Sequence, residues 1–354
     1  MNASEMTSVS LLPDHLYVEL TDRCNLACIH CYLAAGPKGS RILKTERVKA
    51  MLDDYFQMGC TSVAFSGGEP LLHPDWQNIV EYASNLGLRI TVVTNGMALH
   101  QKNLDTLSAA NATIALSVDG ADEESHDAMR GSGSYNRIRE ALRLLASNEA
   151  QARTIICFTP TKLNSGEFSK LTGDVSTQGF INFYISFLET RGRANGSGTR
   201  LSMDVADQVA LLKELVLLNG CNPEIQIETG HLRYMFYRLF YDWQPFGDPL
   251  ETTLRVTPDG SVYLTAYVDN EQFCLGNLQR SSLYDCWNSS RTWWLIERAE
   301  TRFLNLTKCR DCPYRIVCGC GSPARSFAVS GRFDEPDDWC DAKKQFLEEW
   351  FDVL

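Results

Sequence analysis

Three cysteines fall within one short stretch, Cys24-Asn25-Leu26-Ala27-Cys28-Ile29-His30-Cys31, with the spacing C-x3-C-x2-C. A four-iron, four-sulfur cube takes one ligand per iron. Three thiolates therefore leave one iron open, and an open iron can hold a substrate or cosubstrate. Zinc is the simpler alternative, but its knuckles favour a C-x2-C pair matched by a second such pair. A second set lies near the other end of the chain, Cys309-x2-Cys312-x5-Cys318 followed by Cys340. Four thiolates form a closed set for one further cube, with zinc on the same four sulfurs as the rival.

These groups need elements to hold them. From residue 15 to about 220 short apolar runs alternate with amphipathic stretches. Strands are expected at Leu16–Leu20, Ser62–Phe65, Arg89–Val93, Thr113–Val118, Thr154–Phe158 and Ile181–Phe187. Helices are expected from Thr45 to Met58, where Gly59 stops the run, and over Asp75–Leu86, Gln101–Ala109, Tyr135–Ser147, Gly166–Val175 and Asp204–Leu218. Six β/α units of this size imply a parallel sheet with crossover helices, and a closed eight-unit barrel would need more chain. The fold expected is α/β: an open (β/α)6 partial TIM barrel followed by a small Cys-rich α+β domain. The division expected is a tail at 1–14, the barrel at 15–222, and a bridging segment with the Cys-rich domain at 223–354. The stretch 188–200 is Gly-rich and reads as a loop, and 224–246 is aromatic and less patterned. Thr253–Val256, Pro258-Asp259-Gly260 and Ser261–Leu264 read as a β-hairpin, and a last helix is expected near Asp341–Val353. The first cysteine set sits on the loop leaving the first strand, and parallel barrels carry their sites at such C-terminal strand ends.

The stretch Glu19-Leu20-Thr21-Asp22-Arg23 through Cys31-Tyr32 resembles the signature of the radical SAM superfamily. The resemblance implies that the open iron binds the amino and carboxylate groups of S-adenosylmethionine (SAM). One electron then splits the sulfonium into methionine and a 5′-deoxyadenosyl radical, which takes a hydrogen atom from substrate. Other motifs fall at later strand ends. Ser66-Gly67-Gly68-Glu69-Pro70 resembles the family's GGE motif. Gly67 and Gly68 let backbone approach a ligand, and Glu69 can pair with the methionyl ammonium. Thr94, Asn95, Ser117 and Asp119 offer short polar groups suited to ribose hydroxyls and the methionyl carboxylate. Arg130 is a bidentate carboxylate partner. His30 is expected near the adenine. Phe158 and Phe187 could also touch it, but core packing is the stronger expectation for both.

The C-terminal set and its flanks, Arg310-Asp311-Cys312, Pro323-Ala324-Arg325 and Asp338-Trp339-Cys340, resemble the SPASM extension of radical SAM enzymes, which implies at least one auxiliary four-iron cluster. The full SPASM pattern holds two, and here it is broken. The slot after the hairpin reads Leu264-Thr265-Ala266, and two later slots are Ser281 and Ser322, with Cys274, Cys286 and Cys320 nearby. Loss of the first auxiliary cluster is expected, which frees Cys320 as a possible hydrogen-atom donor. Cys60, Cys157 and Cys221 read as small buried apolar side chains.

Composition bounds the rest. The chain has 354 residues and 13 cysteines, a net charge of −11, and no N-terminal signal pattern. That argues for a reducing cytoplasm and metal ligation rather than disulfides. No run of about 18 apolar residues suggests a membrane span. The acidic balance disfavours a nucleic-acid surface. The resemblance implies hydrogen abstraction, most readily on a ribosomally made peptide, giving a crosslink, an epimerisation or a dehydrogenation. The alternatives are a small molecule (aminoglycoside dehydrogenation or epimerisation, or tetrapyrrole decarboxylation, to which Cys318-Gly319-Cys320-Gly321-Ser322 bears a loose likeness) or a non-catalytic iron–sulfur protein of the same fold. Expected partners are a low-potential donor of flavodoxin or ferredoxin type and a separate leader-peptide-binding protein.

Overall fold

Strands of the first half alternate large side chains with small ones, and this alternation builds the architecture. In Val63-Ala64-Phe65-Ser66 and Ile114-Ala115-Leu116-Ser117 the large members point to the core under the helices, while Ala64, Ser66, Ala115 and Ser117 face a central lumen. Side chains alternate across a strand with period two. Burial of each large one contributes about 1.5–3 kcal/mol, so a one-residue slip would be strongly disfavoured. The small members leave the lumen open.

The computed structural model describes residues 12–240, 252–265 and 268–352. Most of the N-terminal tail, Ala266, Val353, the aromatic stretch beyond residue 240 and the side chain of Cys221 lie outside this description. The strands are β1 (His15–Thr21), β2 (Ser62–Gly67), β3 (Arg89–Thr94), β4 (Thr113–Ser117), β5 (Thr154–Phe158), β6 (Asn182–Ile185), β7 (Gln226–Glu228), β8 (Thr253–Val256), β9 (Ser261–Leu264) and β10 (Cys274–Asn277). They form one open sheet in the order β10-β9-β8-β1-β2-β3-β4-β5-β6-β7. Neighbours from β1 to β7 are parallel, joined by helices including Thr45–Gln57, Trp76–Asn85, Gln101–Ala109 and Ser134–Ser147. The open parallel barrel expected from six β/α units is present.

The sheet also runs further than those units. Strand β7 adds beside β6, and β8 pairs parallel with β1 before turning into the antiparallel β9 and β10. The boundary drawn between residues 222 and 223 therefore falls within a continuous sheet. The hairpin register pairs Leu254 with Leu264 and Val256 with Val262.

One local reading needs correction. Most of the stretch read as a loop at 188–200 is a helix, Arg193–Leu201. Tertiary contacts override its Gly-rich composition. Gly192 turns the chain with φ +60°, where a Cβ would lie 2.3 Å from the Tyr32 carbonyl oxygen. The Arg193 amide then donates to Cys31 O at 2.9 Å, and its Nε donates to Cys28 O at 2.8 Å. The stretch that carries Arg130 is the helix Glu123–Arg130, started by a capping box between Asp122 and Ser125.

In the C-terminal third, helix Cys340–Asp352 packs on helix Val205–Cys221. Arg325 pairs with Asp338 and donates to Leu188 O at 3.4 Å. The Cys-rich region is thus fastened to the rim of the barrel.

Candidate functional site

The loop after β1 folds back on itself so that its three sulfurs share one space. Cys24, Cys28 and Cys31 all line the barrel lumen, a cavity of about 410 Å³. The loop is held from several sides: Cys24 N donates to Gly36 O, Ile29 N to Met129 O, and Arg193 to the Cys28 and Cys31 carbonyls. The Cys24 sulfur accepts from Leu26 N at 3.4 Å and from Asn95 Nδ2 at 3.5 Å. Burial pushes the Cys24 thiol up to about 11 and raises Cys28 as well.

The other expected contacts divide into wall and frame. His30, Gly67, Gly68, Thr94, Asn95, Ser117 and Arg130 line the same cavity. Glu69 and Asp119 do not; both carboxylates are fully buried behind it. Glu69 Oε1 accepts from Thr94 Oγ1 at 2.9 Å and Leu71 N at 3.2 Å, while Oε2 accepts from Asn95 N at 2.9 Å. Burial pushes its carboxyl up to about 7 against those hydrogen bonds. Asp119 accepts from Arg130 Nε at 2.6 Å and Thr159 N at 2.8 Å, and lies 3.3 Å from His30 Nε2. Burial pushes the Asp119 carboxyl up, but Arg130, then His30 and His126, outweigh it and hold it below its ordinary value. In this geometry both carboxylates also position groups that face the cavity, Glu69 through Thr94 and Asn95 and Asp119 through Arg130. Burial lowers His30 to about 4 against the pull of Asp119, so the ring is neutral at pH 7. Nε2 is the ring nitrogen that lies by Asp119, and Nδ1 has no hydrogen-bond partner among the described residues.

The C-terminal thiols meet in a second cavity, of about 210 Å³. Cys309, Cys312, Cys318 and Cys340 all line it, and so does Cys320. They come from the short helices Thr307–Arg310 and Arg315–Cys318, the link between them, the turn after them, and the start of Cys340–Asp352. A buried ion pair, Lys343 to Asp337 at 2.9 Å, borders the space. Cys320 is absent from the barrel lumen. The suggested role as hydrogen-atom donor to a substrate there is corrected accordingly: its chain segment lies with the auxiliary thiols. Cys274 and Cys286 flank Gly276 instead, and Cys286 is buried in the main apolar core. The structure does not bring Cys274, Cys286 and Cys320 together.

Residues 18–169 match the radical SAM superfamily model, and residues 250–313 match the SPASM iron-sulfur cluster-binding domain. The chain belongs to the radical SAM superfamily. Among similar proteins, the AdoMet-dependent heme synthase of Methanosarcina barkeri is 26% identical over 95% of this chain and 98% of that protein. The mycofactocin maturase MftC of Mycobacterium tuberculosis is 27% identical over 91% of this chain and 81% of its own length. Among solved structures, anSMEcpe with bound AdoMet and Cp18Cys peptide shares the fold with a TM-score of 0.77 at 20% identity, covering 96% of this chain and 97% of that one.

A four-iron cluster, SAM and auxiliary iron–sulfur chemistry are thus the cofactors of this radical SAM enzyme. The donor set fits the first of them. Three sulfurs face one cavity, two hydrogen-bond donors already point at one of those sulfurs, and cluster binding would displace the thiol protons. Close packing under the Gly67-Gly68 pair makes the loop unforgiving. A Cβ on Gly68 would lie 2.3 Å from Arg23 O, a backbone atom that cannot swing aside. Gly68→Ala is expected to shift the Cys24 loop and cut iron at this site. Anaerobic reconstitution should then recover well under the wild-type iron content, and an unchanged content would show that the contact yields.

Several lumen residues escaped the sequence reading. Tyr17, Tyr32, Tyr184, Cys157, Glu189 and Arg193 all line the cavity. The alternation in β5 could have placed Cys157, which reads as buried and apolar by residue type alone. Its thiol is pushed up to about 12 by burial. Phe158 is core, under Phe168 at 5.2 Å between ring centroids. Phe187 both lines the lumen and packs on Trp339 at 4.8 Å. No helix among the described residues is long and apolar enough to cross a membrane.

Proposed function

We propose that this radical SAM enzyme modifies a peptide, by abstracting an unactivated hydrogen from one of its residues to set a crosslink, an epimerisation or a dehydrogenation. One observation carries the reading: the three thiols open into the same lumen as Tyr17, Tyr32, Tyr184 and Phe187, with Glu189 and Arg193 of opposite charge beside them. Aromatic walls with one acid and one base suit a side chain flanked by amides. A cavity of about 410 Å³ that must also take SAM suits a side chain better than a macrocycle. Two relatives point the same way, one a maturase and one solved with a peptide bound.

When bound, the cluster supplies one electron to SAM and so the 5′-deoxyadenosyl radical. The chain's own residues prepare the space around it. Ser66 Oγ lies 2.6 Å from Tyr17 OH, and Tyr32 OH donates to Glu19 Oε1 at 3.2 Å. Arg191 stacks over the Tyr32 ring at 4.5 Å. Burial raises both tyrosines above their ordinary value, so they stay protonated and orient the substrate without exchanging protons. The thiolates of Cys24, Cys28 and Cys31 would hold the cluster, while Asn95 and Arg130 line the same lumen and Glu69 and Asp119 hold those two in place.

Supply of the electron calls for a flavodoxin- or ferredoxin-type donor. Substrate delivery calls for the lumen mouth or a leader-peptide-binding protein, in a reducing cytoplasm. The relative named a heme synthase, matched over nearly its whole length, supports a tetrapyrrole as the second reading. Anaerobic incubation with SAM, reductant and a candidate precursor peptide separates the two by mass spectrometry. Loss of hydrogen from the peptide, or solvent deuterium at an epimerised carbon, is expected. Loss of carbon dioxide from a tetrapyrrole, with every peptide unchanged, would overturn the proposal.

A further inference from the structure

We infer that Cys320 is an exchangeable fifth ligand of the auxiliary cluster: Cys309 and Cys320 stand side by side, and either sulfur completes the set made by Cys312, Cys318 and Cys340. The inference rests on the auxiliary pocket holding a four-iron cluster. Five thiols line that pocket, while a cube takes four ligands, so one sulfur is surplus at any moment. The structure identifies which two compete. Cys309 and Cys320, with Leu306, make a small buried cluster apart from the main core.

The backbone of Cys320 argues that its side chain is placed there for a purpose. It has φ +63°, between Gly319 at +68° and Gly321 at +73°. The left-handed region suits glycine, and for another residue it is strained. A plain turn would be filled by glycine or asparagine. Here a cysteine is held in it from outside: Arg302 Nη1 donates to Cys320 O at 2.7 Å and to Gly321 O at 3.1 Å, with Arg302 itself buried. Gly321 is fixed as well, because a Cβ there would lie 2.3 Å from Asp337 Oδ2. The strained turn puts the Cys320 side chain beside Cys309.

Exchange between the two is balanced without any co-reactant. With Cys309 as the ligand, Cys320 would keep its proton. If the iron–sulfur bond passed from Cys309 to Cys320, the proton would pass from Cys320 to Cys309. Iron keeps its oxidation state.

The test is anaerobic reconstitution of the full chain, with iron and sulfide counted and the reduced protein examined by electron paramagnetic resonance. Cys309→Ala and Cys320→Ala should each still hold about eight irons, and the double variant about four, the complement of the first cluster alone. The two single variants should give different auxiliary spectra, since each fixes one of the two ligand sets. A fall to about four irons in Cys309→Ala alone would show that Cys320 cannot substitute. The same fall in Cys320→Ala would make it a fixed ligand, and about eight irons in the double variant would remove both from the cluster; each result overturns the inference. Cys312→Ala tests the underlying assignment separately: if it keeps about eight irons, the pocket itself is misassigned. Should the double variant bind no iron at all, the two single variants decide alone.

Discussion

Replacing Cys24, Cys28 and Cys31 together by alanine abolishes formation of 5′-deoxyadenosine, while about half the iron remains. The count follows from the two thiol sets. One cube on the three sulfurs of the lumen and one on the C-terminal set give about eight irons, and removal of the first leaves about four. No other thiol can take over, because the only further cysteine lining the lumen among the described residues, Cys157, stands on β5 and not on the loop. Anaerobic reconstitution followed by iron analysis and product chromatography checks both halves. Continued SAM cleavage by the triple variant would remove these cysteines from the chemistry. A wild-type count near twelve irons would instead reveal a third cluster, by the same ligand arithmetic.

The largest stability effect is expected at Asp119. Its carboxylate is completely buried, and it neutralises Arg130 while accepting from Thr159 N, with His30 Nε2 3.3 Å away. Asp119→Ala leaves a buried guanidinium without its counter-charge, and breaking a buried pair on one side costs about 3–5 kcal/mol. Urea unfolding should show the midpoint falling accordingly, and an unchanged midpoint would contradict the ion pair. Adding Arg130→Met to Asp119→Ala should restore part of the loss, since the stranded charge leaves with its partner. The pH dependence follows from the lowered folded value of the carboxyl. Its contribution is complete above the ordinary value of 3.8 and disappears as pH falls through the lower, folded one.

Much of this was legible in the chain because the chemistry is written in local spacing. Six strands came from short apolar runs between amphipathic stretches, and both thiol sets came from cysteine intervals that no common helix or turn requires. What escaped was set by long-range contacts. Glu69 and Asp119 carry the right chemistry in the right loops, yet only packing decides that their carboxylates turn away from the cavity to hold Asn95 and Arg130. The helix Arg193–Leu201 exists because Arg193 is tied to the Cys28 and Cys31 carbonyls, a contact 165 residues apart along the chain. Cys320 differs again. Its partner Cys309 is close in sequence, but the left-handed turn that joins them is marked only by the flanking Gly319 and Gly321. The small-large alternation of β2 and β4 was present all along and would have mapped the lumen.

The central claim is that the three lumen thiols hold a cluster whose open iron acts on SAM. It is tested most directly by giving the anaerobically reconstituted, reduced enzyme SAM alone and quantifying both fragments over time. Methionine and 5′-deoxyadenosine should appear in equal amounts, and only when the reductant is present. Reduced enzyme that carries its full iron complement and leaves SAM intact would contradict the account.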